Sequence, residues 1–207
     1  MGELSDLEDA ILNQRDAVEI TPHGHPHKPG LLNNLESSFL TCFKHLGRLS
    51  DLEDAISKQR DAVELTSHSH SDKPSHLNNL GISFFVHFQC LGQLSDLKDT
   101  ISNQRDAVEL TLHSYPDKPS CLNNLGISFL TCFKCLGQLS DLEDAISSQQ
   151  DGVDLTLYDH PRKPLFLSSL NNSFQARFEC LREPSDIEQA ICLYSYAASP
   201  PIGPVSV

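Results

Sequence analysis

Basic residues are scarce in this 207-residue chain: 15 Lys and Arg stand against 28 Asp and Glu, for a formal net charge of −13. That balance makes nucleic acid and an anionic membrane surface poor partners. No run approaches the ~20 apolar residues of a membrane span, and the first residues are polar rather than signal-like. Met1-Gly2 lacks the Ser or Thr at position 6 that N-myristoylation wants, because Asp6 stands there. The seven cysteines are too few for a disulfide scaffold and mostly fall within expected helices, which points to a reduced, cytoplasmic setting. Also missing are a nucleophile–base pairing, a Gly-rich phosphate loop and a paired-carboxylate signature. The residues therefore suggest neither an enzyme nor a cofactor.

What the chain has is a repeat. Leu4-Ser5-Asp6-Leu7-Glu8-Asp9-Ala10-Ile11 returns at Leu49–Ile56, at Leu94–Ile101 with Lys98 and Thr100 as changes, and at Leu139–Ile146. A worn fifth copy runs from Pro184 to Ile191. The 45-residue units starting at Leu49 and Leu94 match at 34 positions without a gap. A fixed period of this length means a stacked array in which each unit completes its core against its neighbours.

One unit reads as two helices. In the unit beginning at Leu49, Ser50 and Glu53 have the spacing of a capping box. Leu52, Ala55, Ile56, Gln59, Ala62 and Val63 follow at three- and four-residue steps, predicting an amphipathic helix over about 50–66. The segment Ser67 to Ser71 has no periodicity and reads as a loop. Asp72-Lys73-Pro74 opens a second helix. Leu77, Leu80, Phe84, Phe88 and Leu91 give it one buried stripe, and Gly92 closes it. The same alternation places helix starts near His27, Ser50, Asp72, Ser95, Asp117, Ser140, Arg162 and Ser185. In the last full unit Ser168-Ser169 replaces an Asn pair and Arg182 replaces the terminal Gly. Residues 1–198 are thus expected to form one repeat array, with a loose Pro-rich tail over 199–207. Neither terminal helix is polar on both faces as a capping helix would be, so both ends are expected to be cuts in a longer array.

Leu77-x-x-Leu80-Gly81-x-x-Phe84 in one helix and Ala55-x-x-x-Gln59-x-x-Ala62 in the other resemble the two helices of a tetratricopeptide (TPR) repeat. Ala10, Ala17 and Pro22 match the spacing of that family's two Ala and terminating Pro. Small residues such as Gly81 and Ala55 let helix backbones approach. The unit departs from the usual 34 residues. Gly126 to Ala145 is 19 positions where the family has 12, about one extra turn on each helix, and four more residues fall in the inter-unit loop. Gln14, Gln59, Gln104 and Gln149 stand where the family has an aromatic. The chain most resembles, over residues 4–196, the long-unit TPR arrays of basidiomycete fungi that often precede a caspase-like CHAT domain. No protease segment is present, so no peptidase activity carries over. The resemblance implies an all-α fold: a right-handed αα-superhelix, a TPR-like solenoid of antiparallel helix pairs.

In such arrays the first helix of each pair lines a concave groove, and the position two before the Gly faces it. The resemblance therefore implies a ladder of Asn34, Asn79 and Asn124, drawn from the pairs Asn33-Asn34, Asn78-Asn79 and Asn123-Asn124. An Asn amide offers a donor and an acceptor and can hold an extended peptide backbone. The plainer alternative is that these residues solvate an exposed face. Cys42 with His45, His87 with Cys90, Cys132 with Cys135, and Arg177 with Cys180 share a helix face. Zinc needs four ligands, and equivalent positions in neighbouring units lie about 10 Å apart, so no metal is assigned to them. His23, His25 and His27, and His68 with His70, could chelate an ion along an extended loop, but read more simply as linker; the other loops keep only His113 and His160. The sequence points to a module that binds a protein or peptide, of basic character given the acidic helices. Its alternatives are a regulatory or spacer segment of a longer parent carrying a CHAT effector domain, or a degenerate fragment.

Overall fold

A computed structural model describes the backbone of residues 2–112 and 115–198 and the side chains of 6–112 and 115–193. The expected tail at 199–207 and His113 lie outside the described residues. Among those described there are nine helices and no strand: α1 (Gly2–Ile20), α2 (Lys28–Leu46), α3 (Leu49–Leu65), α4 (Lys73–Leu91), α5 (Leu94–Leu110), α6 (Lys118–Leu136), α7 (Leu139–Asp154), α8 (Lys163–Leu181) and α9 (Pro184–Ala198). The chain is all-α, as its periodicity requires. No helix among the described residues is long and apolar enough to cross a membrane. The helices gather into two compact units, α1–α5 and α6–α9, divided between Leu110 and Thr111.

In the first unit α2 packs on α1 and α3, and α4 on α3 and α5. Its core holds Ile11, Leu35, Phe39, Cys42 and Ala55, and beside them Leu52, Ile56, Leu80 and Phe84. The guanidinium of Arg15 lies 5.0 Å from the Phe39 ring centre and that of Arg60 4.9 Å from Phe84, so each phenylalanine is roofed by a cation from the preceding helix. In the second unit α6 packs on α7 and α8, and α8 on α9. Leu125, Phe129, Leu142, Ala145, Leu170 and Phe174 fill its core. Gln150 occupies the register of Arg60 there, and Arg177 covers Phe174 from within α8 instead, at 5.4 Å.

The small residues act as expected. A Cβ on Gly81 would stand 2.7 Å from the Cγ of Gln104 and 3.2 Å from the Thr100 carbonyl; on Gly126 it would stand 2.4 Å from the Cγ of Gln149. Gln104 and Gln149, in the aromatic register, are therefore buried, at 2 % and 1 % exposure; Gln59 is fully buried as well, though Glu36 holds the glycine register there, and its amide donates to the His76 carbonyl. An aliphatic Gln stem fits over a bare glycine where a ring would not.

Two local expectations are corrected. Ser50 is not an N-cap: α3 starts at Leu49, Arg48 is the cap residue with extended backbone (φ −75°, ψ 113°), and no side chain caps it. The connection Gly47–Arg48 is two residues long, with Gly47 left-handed at φ 66°, so the cap falls two residues sooner than the Ser spacing implies. The buried stripe of α4 also ends early. Leu77, Leu80 and Phe84 are buried, Phe88 is half-buried and Leu91 is 43 % exposed. Leu46, Leu136 and Leu181 share this exposure, because the last turn precedes the reversal and outruns the neighbouring helices. Gly92 and Gly137 close α4 and α6 as expected, their N–H groups donating to Phe88 and Phe133. Arg182 takes the same left-handed role at φ 58° without the freedom of glycine.

Candidate functional site

The segment between an odd helix and the next even one is built from backbone outward. In the first unit His25 N–H donates to the Pro22 carbonyl and Lys28 N–H to that of His25; His70 to Ser67 and Lys73 to His70 repeat the pattern. A histidine ring secures the second turn. His25 Nδ1 accepts the His27 N–H at 3.3 Å, His70 Nδ1 that of Asp72 at 3.2 Å, and His160 Nδ1 that of Arg162 at 3.1 Å. These loop histidines thus have a turn-forming role that periodicity could not show.

Lysine was missed as well. Lys28 Nζ donates to the carbonyls of Val18 and Thr21, Lys73 Nζ to those of Val63 and Thr66, Lys118 Nζ to that of Thr111, and Lys163 Nζ to those of Val153 and Thr156, at 2.5–3.0 Å. Lys28, Lys73 and Lys163 each close the C-terminus of the preceding helix, where free carbonyls and the helix dipole favour a cation. Burial lowers the pKa of Lys73, Lys118 and Lys163. The signal was the Lys-Pro pair recurring at 28, 73, 118 and 163, in which the sequence reading used only the proline.

The His and Cys helix positions separate into two classes. His45, Cys90, Cys135 and Cys180 are exposed. Their partners three residues earlier turn inward toward an aspartate at the start of the following helix. His87 Nδ1 lies 2.8 Å from Asp96, and Arg177 makes three contacts of 2.7–3.1 Å with the fully buried Asp186. Where the position is Cys42, Arg48 bonds Asp51 instead at 2.9 Å. Burial, reinforced by the Asp51 charge, raises the pKa of the Cys42 thiol. Among the described residues no three His, Cys, Asp or Glu side chains gather as metal ligands.

Asn34 of α2 is exposed and makes no side-chain hydrogen bond among the described residues; Asn79 of α4 is half-buried and donates from Nδ2 to Asn33 Oδ1 at 3.2 Å. Neighbouring pairs therefore join one residue out of step. Asn124, half-buried on α6, belongs to the second unit. Asn33, Asn34 and Asn79 line a cleft of about 900 Å³ in the first unit, bounded by the two turn segments and the N-terminal halves of α2 and α4. His76 also lines it. The residue is 6 % exposed, its Nδ1 has no hydrogen-bond partner, and burial lowers its pKa.

These features define a TPR-like helical-repeat fold. No family model matches the chain, and no curated protein matches it. Solved structures do. MamA superposes with a TM-score of 0.63 at 13 % identity, over 94 % of this chain and 88 % of that one. A candidate kinesin light chain of P. anserina with nearly identical TPR-like repeats gives 0.65 at 12 % identity, over 96 % and 92 %. BtubC (BKLC) from P. vanneervenii gives 0.65 at 15 %, over 100 % and 80 %.

Proposed function

We propose that the chain is a protein-interaction module that binds an extended peptide segment of a partner protein along its even-numbered helices. Asn34, Asn79 and Asn124 hold the peptide backbone, and the reading assigns no residue a catalytic role. The observation that carries it is Asn34, an amide left without a partner in a cleft large enough for a peptide. Asn79 keeps its carbonyl oxygen as an acceptor while its amide bonds Asn33. The acidic balance of the chain favours basic segments and an on-rate that falls as salt rises. All seven cysteines are free thiols, which suits a reducing, cytoplasmic compartment.

The test is affinity capture with the purified chain, followed by titration of a captured partner against variants. Each backbone hydrogen bond is worth a net ~0.5–1.5 kcal/mol. Single Asn→Ala changes should weaken binding several-fold and the triple change severely. A partner whose affinity ignores the triple variant would refute the proposal.

A further inference from the structure

Each odd helix packs most extensively on the even helix before it: α3 on α2, α5 on α4 and α7 on α6. Among the described residues no even helix precedes α1, which packs on α2. The consequence is visible residue by residue, because Leu4 to Ile11 has the same sequence as Leu49 to Ile56 and Leu139 to Ile146. In α3, Leu52, Ala55 and Ala62 are 0 % exposed, and Thr66 just beyond it is buried. Their counterparts Leu7, Ala10, Ala17 and Thr21 are only half-buried. Ile20 is 82 % exposed where Leu65 and Leu110 are half-buried. One and the same face is thus covered by an even helix elsewhere in the array and bare on α1, where its apolar surface stays in water.

We propose that this face of α1 docks an amphipathic helix of a partner protein, one built like the chain's own even helices. The covered copies define the chemistry of that helix. Gly81 of α4 lies over Gln104 of α5, and Gly126 of α6 over Gln149 of α7, so the occupant sets a small residue over Gln14, which is half-buried. The backbones are close there: a Cβ on Gly126 would stand 2.9 Å from the Ala145 carbonyl. In α2 the register holds the unbranched Glu36; a side chain branched at Cβ would meet that carbonyl. Leu40 and Phe43 follow this register by four and seven residues and pack against the cluster of Leu52 and Ile56. Phe85 with Phe88, and Leu130 with Phe133, repeat the spacing, so the occupant carries two large apolar side chains there, set against Leu7. A second copy of this chain fits less well. Its even helices are already packed among their own neighbours, and its α1 would bring Gln14 against Gln14 with no glycine to receive either stem. The docking is helix on helix, is separate from the asparagine cleft, and does not draw on the peptide-binding reading.

The experiment titrates the full chain into a labelled peptide that copies residues 72–92, with three lysines appended for solubility, and reads fluorescence polarisation. The control is the same peptide carrying Gly81→Ile. The native chain should bind the first peptide at least tenfold more tightly than the control. Isoleucine is a better helix former than glycine, so that order reports close backbone approach and not peptide helicity. In the 15N-labelled chain the amide shifts caused by the peptide should concentrate at Ala10, Gln14 and Ala17. The chain variant Ala10→Arg with Ala17→Arg should lose at least tenfold in affinity while keeping its helical melting curve. If that variant does not fold, the two peptides and the amide shifts on the native chain still decide. Equal or tighter binding of the Gly81→Ile peptide, shifts centred outside α1, or binding of neither peptide overturns the proposal. So does a dimer of the native chain, seen by sedimentation equilibrium, that the double arginine variant abolishes, because a second copy would then hold the face.

Discussion

Glu36 occupies in α2 the register that Gly81 and Gly126 hold in α4 and α6. Its carboxylate is buried, at 2 % exposure, and accepts hydrogen bonds from Ser83 Oγ at 3.3 Å and Ser37 Oγ at 3.2 Å. Those bonds do not offset the loss of water, and burial pushes its pKa up to about 7 from an ordinary 4.5. A folded-state pKa above the unfolded one means that the fold penalises the ionised form. The penalty is complete above pH 7, fades as the pH falls toward 4.5, and is worth roughly 3 kcal/mol for a shift of this size. We expect Glu36→Gln, which keeps both serine partners, to raise stability by about 1–3 kcal/mol at pH 8 and by almost nothing below pH 4.5. Urea titrations at the two pH values check this. The sequence alone gave no warning, because Leu35-Glu36 differs from Leu80-Gly81 at a position whose burial depends on the neighbouring helix.

At the scale of helices, starts and stops were legible to within about a residue, because Gly47, Gly92 and Gly137 end helices wherever they recur. What escaped was chemistry that crosses from one element to the next. Lys73 reaches back ten residues to Val63, Asp96 turns toward His87, and neither contact lies within the three- or four-residue steps that periodicity reads. The out-of-step bond from Asn79 to Asn33 escaped as well, since it joins two helices 46 positions apart. Lys73→Met keeps the aliphatic stem and removes the cation from the end of α3. A charge-assisted bond is worth ~1.5–3 kcal/mol, so a loss of about 1–3 kcal/mol is expected, with faster amide exchange in the last turn of α3. Lys58→Met, on the partly exposed face of the same helix, should cost less than about 0.5 kcal/mol.

For the whole molecule, stability is distributed as neighbour-to-neighbour contact. Phe84→Ala removes a ring packed among Leu52, Ile56 and Leu80 and should cost ~3–5 kcal/mol. In a repeat array the damage stays near its source, so exchange should quicken in α3, α4 and α5 while α8 and α9 keep their protection. Uniform loss of protection along the chain would contradict this. The aspartate that opens each odd helix has a longer reach, into the history of the repeats. Asp51 is held by Arg48, Asp96 by His87 and Asp186 by Arg177, but Asp141 has Cys132 and Gln138 at the corresponding positions, and its Oδ2 has no partner. Two interchangeable solutions therefore exist, on opposite sides of the helix reversal. The repeat containing Asp141 holds neither, so the array tolerates a state in which both cations are gone, and copies can diverge in this register in either order.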